Sequence, residues 1–163
     1  MSYWRLFYHI TFAVKKRLPL ILENIEQRLH YVLEAKACEL GAIVHAIGGI
    51  EDHVHLAVSV PPSISLSYFI GQVKGNSSHF VNFELQPAYY FEWQEGFGVV
   101  SFGPKQLGFV IDYIHNQRIH HQTNSLYHGL ESFDESDSST QKISEGSASY
   151  GSADSEFDDP LNS

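Results

Sequence analysis

Two β-rich runs, AIVHAIGG at residues 42–49 and DHVHLAVSV at residues 52–60, stand two residues apart, which is hairpin spacing. Pro61 and Pro62 close the second run. Upstream, residues 20–40 carry Ile21, Leu22, Ile25, Leu29, Val32, Leu33 and Leu40 at helical spacing, with Gly41 as the stop. Downstream, residues 64–83 set Ile64, Leu66, Phe69, Ile70, Val73, Phe80 and Val81 in a helical pattern weakened by Gly71 and Gly75. Two outer runs also read as strands: YWRLFYHITFAV at residues 3–14, interrupted by polar Arg5 and His9, and GFGVVSF after the aromatic loop around Pro87–Trp93. A final helix is expected over Lys105–Gln122. The order β-α-β-β-α-β-α predicts an α+β fold: a ferredoxin-like split βαβ sandwich, an antiparallel sheet with helices on one face, plus a C-terminal helix.

The chain has 163 residues and a net charge of −9, a balance that argues at first against a nucleic-acid partner. Its distribution weakens that objection. Residues 1–128 hold nine Lys and Arg against ten Asp and Glu, whereas residues 129–163 hold Lys142 against nine acids. The segment 129–163 also has ten serines and no periodicity, so it buries too little apolar surface to offset its ordering entropy. We therefore expect one domain at residues 1–128 and an acidic, Ser-rich disordered tail at 129–163. The tail is read as a solubilising appendage, with a DNA-mimicking competitor for a basic groove as the alternative. Cys38 is the only cysteine, which excludes an intrachain disulfide and a Cys-rich zinc site. No run approaches the ~20 apolar residues of a membrane span, and no signal-peptide order is present. A cytoplasmic protein is expected.

Two groups of residues carry chemistry. In IEDHVHLAV, His53 and His55 flank Val54 on a strand, and strand alternation projects both imidazoles from one face. That is a two-point metal grip, although the same spacing suits packed or surface histidines in a chain with ten of them. His45 on the neighbouring strand is a possible third ligand. In FVIDYIHNQRIHH, Tyr113 and Gln117 are four apart, on one helical face. A buried Tyr–Gln pair has the same spacing. Read as chemistry, the amide completes a metal site with the two histidines and the phenol attacks a phosphate. Two imidazoles and one amide oxygen, with positions left for phosphate oxygens, suit Mg2+ or Mn2+ better than a closed zinc site.

His-Val-His on a strand followed by YIHNQ on a late helix resembles the single-tyrosine HUH transposases of the insertion-sequence-200-like family, HUH denoting His-hydrophobic-His. QVKGNSSHFVN at residues 72–82 and WQEGFGVVSF at residues 93–102 are similar to two further blocks of that family, in the same order. The resemblance implies a transposase acting on single-stranded DNA with hairpin ends, working as a homodimer and needing no nucleotide cofactor. It implies Tyr113 as the nucleophile and His53, His55 and Gln117 as ligands of Mg2+ or Mn2+. It further implies a 5′-phosphotyrosine intermediate that a second 3′ hydroxyl reverses. The tyrosine helix can serve its own subunit or the partner.

Lys74, followed by Gly75, Ser77 and Ser78, is the leading candidate for a phosphate contact, against a solvated lysine. Lys15, Lys16 and Arg17 add a compact basic cluster. His115, His120 and His121 are candidate bases for the tyrosine, against a solvated helix face, and a metal-bound water is an equal candidate. Trp93 and Phe97 can stack on a base, against packing on the last helix. Two other functions fit parts of the pattern. One is a domesticated nuclease or nickase for repetitive hairpin elements. The other is a non-catalytic nucleic-acid-binding module using the sheet as a platform.

Overall fold

The computed structural model describes residues 2–131. Four strands form one antiparallel sheet in the order β2-β3-β1-β4: β1 Phe7–Ala13, β2 Ile43–Ile50, β3 His53–Ser59 and β4 Gly98–Phe102. With helices α1 Glu23–Glu39 and α2 Leu66–Phe80 crossing between them, this is the expected split βαβ arrangement. The tail expectation for residues 132–163 lies outside the described residues.

Alternation sorts the sheet into two chemically different faces. Ile10 and Phe12 of β1 and Val54, Leu56 and Val58 of β3 point to one side. There they share a core with Ile25, Leu29, Leu33 and Ala37 of α1 and Phe69, Ile70 and Val73 of α2. The α1 stripe repeats every four residues, Gly41 ends the helix region at φ +86°, and α2 starts where the Ser65 hydroxyl accepts from the Tyr68 N–H at 3.1 Å. Residues on the other side of the same strands include His9, Thr11, His53, His55 and Ala57, all buried although four of the five are polar.

That second face is covered by the C-terminal segments. The single helix expected over Lys105–Gln122 is instead a 3-10 turn at Pro104–Gln106, then α3 Leu107–His115 and α4 Gln117–Gln122, broken at Asn116 (φ −104°, ψ 23°). A further short helix, α5 His128–Glu131, follows. Val110 and Ile114 of α3 pack on Ala46 and Ala57. Gly48 makes this docking possible, because a Cβ there would overlap the Ile114 carbonyl oxygen. Leu130 of α5 is buried, so the folded chain runs beyond residue 128.

Candidate active site

His53 and His55 stand on β3 opposite Ala13 and Thr11 of β1, both fully buried, with ring centroids 4.8 Å apart. Each has its Nδ1 tied. The His53 Nδ1 lies 2.6 Å from Asp52 Oδ1, and Asp52 Oδ2 in turn receives the Arg17 Nε–H at 3.2 Å. The His55 Nδ1 lies 2.8 Å from His9 Nε2. Such partners orient a metal-binding imidazole and determine which nitrogen carries the proton. Burial alone would raise the Asp52 carboxyl, but the hydrogen bond and charge of His53, then Arg17, outweigh it and hold Asp52 below its ordinary range. Burial pushes His55 down to about 4, against the pull of Glu131, so this imidazole is neutral at pH 7 and able to offer a lone pair.

Both Nε2 atoms face Glu131, whose Oε2 lies 3.6 Å from each and 3.7 Å from the Nε2 of His121. Its other oxygen accepts the Tyr113 phenol O–H at 2.5 Å. The phenol oxygen also accepts the Tyr127 N–H at 3.0 Å. Tyr113 is buried, its ring 6.2 Å from that of His55 and stacked on His120 at 4.5 Å. Burial, then the hydrogen bond to Glu131, pushes the phenol well above its ordinary value. Burial would likewise raise Glu131, but the His55 imidazole 3.6 Å away, then Tyr113 and His53, bring it down to about 2. In this arrangement the proton between Tyr113 and Glu131 belongs to the tyrosine.

His53, His55 and Glu131 offer ligand atoms that all lie within 4.8 Å of one another, a group able to hold a metal ion. Donors about 2.1 Å from one ion sit about 3.0–3.4 Å apart at octahedral or tetrahedral angles, and Glu131 Oε2 is 3.6 Å from each of the two imidazole nitrogens. Gln117 stands beside Tyr113. It is buried on the first turn of α4, its Nε2 donates to the Tyr113 carbonyl at 3.3 Å, and its Oε1 has no hydrogen-bond partner among the described residues. The Nε2 atoms of His55 and His121 are likewise buried without a hydrogen bond among the described residues. Buried acceptors left open are what a cation site requires.

Residues 2–117 match the family described as IS200-like transposases. The chain belongs to the IS200-like transposase family. Transposases for insertion sequence element IS200 from Salmonella typhimurium and Salmonella typhi are each 29% identical over 120 residues, covering 70% of this chain and 78% of theirs. Among solved structures, a protein assigned as a transposase in Deinococcus radiodurans R1 aligns with a TM-score of 0.56 at 24% identity, over 72% of this chain and 95% of its own. The REP-associated tyrosine transposase bound to a REP hairpin aligns with a TM-score of 0.57 at 18% identity, over 74% of both chains. These two share the fold. DNA strand cleavage and transfer is the activity of the family, and no helix of the described residues is long and apolar enough to cross a membrane.

In this transposase His53, His55, Tyr113 and Gln117 are thus brought together within one chain. Two residues of the site carry no sequence signal of their role, His9 and Glu131: His9 is a polar interruption of a strand, and Glu131 is one of nine acids in residues 129–163. His120 and His121 line the site, whereas His115 is exposed at the end of α3. His45 sits at a β-bulge between Val44 and Ala46, bonded to Ser59 Oγ at 2.8 Å and tilted against the Phe7 ring at 5.5 Å. Lys74 lies toward the opposite face, its ammonium donating to the carbonyls of Gln94 and Gly96 at 2.7 and 2.8 Å and standing 5.7 Å from the Phe12 ring. The Ser77 and Ser78 hydroxyls donate to carbonyls of their own helix, of Lys74 and Gly75. Trp93 packs edge-on against Phe12 and Phe91 and donates to Ser77 Oγ at 2.9 Å. Lys15, Lys16 and Arg17 form an exposed turn at the edge of the site, with Lys16 and Arg17 at φ +58° and +54°. Lys15 pairs with Glu92 at 2.9 Å.

Proposed function

We propose that this chain cleaves and rejoins single-stranded DNA through a covalent 5′-phosphotyrosine on Tyr113, with Mg2+ or Mn2+ held by His53, His55 and Gln117 and joined by Glu131. The observation that carries this reading is the Glu131 carboxylate, which touches the phenol with one oxygen and faces both His-Val-His imidazoles with the other. Nucleophile and candidate metal ligands therefore lie within one carboxylate's width. A divalent ion bound there supplies Lewis-acid polarisation of the scissile phosphate. A carboxylate added to two imidazoles and an amide oxygen makes the donor set harder, which favours Mg2+ or Mn2+ over a thiophilic ion.

Tyr113 Oη forms the new bond to phosphorus as the P–O3′ bond breaks, the phenol gives up its proton and the 3′ oxygen gains one. The new phosphodiester conserves the energy of the old, so a 3′ hydroxyl attacking it releases Tyr113 and joins new ends. His120, stacked on the Tyr113 ring, helps to hold the nucleophile, and the Asp52 and His9 contacts hold the two imidazoles. The exposed turn at Lys15, Lys16 and Arg17 is the candidate DNA-backbone contact closest to the site. Lys74, Ser77 and Ser78 would contribute to DNA binding through the loop at residues 94–96 that Lys74 holds. Recognition of hairpin ends is supported by the fold shared with a REP-hairpin complex, and homodimerisation by the family resemblance.

The test uses labelled single-stranded DNA from the element's own flanking ends, with Mn2+ or EDTA, resolved on a denaturing gel. The expected result is a metal-dependent covalent adduct, absent in Tyr113→Phe while DNA binding persists. An undiminished adduct in Tyr113→Phe overturns the assignment. Binding that ignores chelation and yields no adduct favours a non-catalytic binding module.

A further inference from the structure

The two imidazoles of the His-Val-His pair are held by partners of different chemistry. Asp52, beside His53, is an acceptor. His9, beside His55, is a second buried imidazole from another strand, 46 residues away in sequence. In the antiparallel register His9 stands opposite Ala57 and His55 opposite Thr11, so the two rings meet diagonally across β1 and β3, with centroids 4.9 Å apart. Both are fully buried.

Between two neutral imidazoles only one nitrogen of the contact can carry the hydrogen. When His55 offers its Nε2 lone pair to a cation, its proton must sit on Nδ1, and that N–H then donates to His9 Nε2. His9 in turn carries its own proton on Nδ1, a buried atom with no hydrogen-bond partner among the described residues. An unsatisfied buried donor costs stability. An apolar side chain opposite Ala57 and Val100 would avoid that cost, so packing does not account for an imidazole here, whereas the needs of His55 do. The pair can also reverse: His9 Nε2–H then donates, and His55 turns an Nε2–H toward the Glu131 carboxylate. A carboxylate in place of His9 could serve only the first arrangement.

We propose that His9 is a positioning residue of the metal site: it accepts the Nδ1–H of His55, fixes that ring, and so presents the His55 Nε2 lone pair to the divalent ion. This inference rests on the metal reading given under Proposed function.

The experiment measures Mn2+ binding by calorimetry and by electron paramagnetic resonance of free Mn2+. The proteins are the wild-type full chain, His53→Ala, His9→Leu and His9→Gln, with folding checked by circular dichroism. The Gln side chain reaches about as far as Nε2 and can accept the same hydrogen bond; Leu cannot. We expect His9→Leu to lose roughly 10- to 100-fold in Mn2+ affinity, the range for partners behind a metal ligand, and His9→Gln to recover most of it. Wild-type affinity in His9→Leu, or equal loss in Leu and Gln, overturns the positioning role. Failure of the wild type to bind, or binding undisturbed in His53→Ala, overturns the metal reading itself. Should His9→Leu fail to fold, imidazole 15N shifts of the Zn2+-loaded wild type decide. A protonated Nδ1 on His55 facing an unprotonated Nε2 on His9 supports the proposal, and a protonated His9 Nε2 overturns it.

Discussion

Glu131 shows how much one side chain can decide. Its carboxylate is half of a short hydrogen bond that keeps Tyr113 protonated, and its Oε2 lies 3.6–3.7 Å from the Nε2 atoms of three histidines. Replacing it by glutamine keeps the shape and removes the charge. Glu131→Gln is expected to weaken Mn2+ binding by about tenfold or more. It should also let Tyr113 ionise at a lower pH than in the wild type, because the carboxylate's hydrogen bond and charge both raise the phenol. Calorimetry checks the first, and phenolate absorbance relative to Tyr113→Phe the second. Unchanged values for both would make Glu131 a bystander. His9 and Asp52 belong to the same scale, since each acts only through the one nitrogen it holds.

Among the elements, the contact between β2 and α3 decides where the nucleophile stands. Gly48 lets the α3 backbone lie directly against the strand, at the Ile114 carbonyl, one residue after Tyr113. Gly48→Ala forces the helix outward, which should cost about 1–3 kcal/mol, read as a lower urea midpoint. It should also slow adduct formation more than DNA binding, since α3 carries Tyr113 and the exposed Lys15–Arg17 turn is elsewhere. The break at Asn116 belongs to this scale too. Tyr113 and Gln117 share a face as their four-residue spacing requires, but they lie on separate helices, and the 117 amide donates to the 113 carbonyl across the break.

Over the whole molecule, acid sensitivity follows from histidines buried in neutral form. His30, on α1 and remote in sequence from the metal group, has its pKa lowered from 6.5, by burial first, with Arg118 adding to it and Glu26 opposing. A depressed folded-state value means the unfolded chain binds the proton more readily. The stability is therefore fully present above about pH 6.5 and is lost as pH falls through the folded-state value. We expect the urea midpoint to decline on acidification below that point, and His30→Gln to decline less steeply. Parallel declines would show that His30 does not contribute. The extent of the folded chain is another property of the whole: composition divides it at 128, yet Leu130 and Glu131 dock on the sheet face that α3 and α4 also cover.

Spacing alone determined that His53 and His55 share a face and that Tyr113 and Gln117 lie one turn apart, because strand and helix periods are set by covalent geometry and backbone sterics. The order of strands and helices was equally legible, since hydrophobic periodicity and the two-residue turn are local. His9 was already visible as a polar residue on the alternation of β1, but its meeting with His55 depends on the register between strands 46 residues apart. Glu131 had no local signal beyond two nearby apolar residues, Leu126 and Leu130, because its role exists only when α5 folds back onto the sheet. The tertiary structure alone decided the tautomer partner, the added carboxylate and the meeting of tyrosine and histidines in one chain. Each depends on contacts between distant segments, which no window of sequence contains.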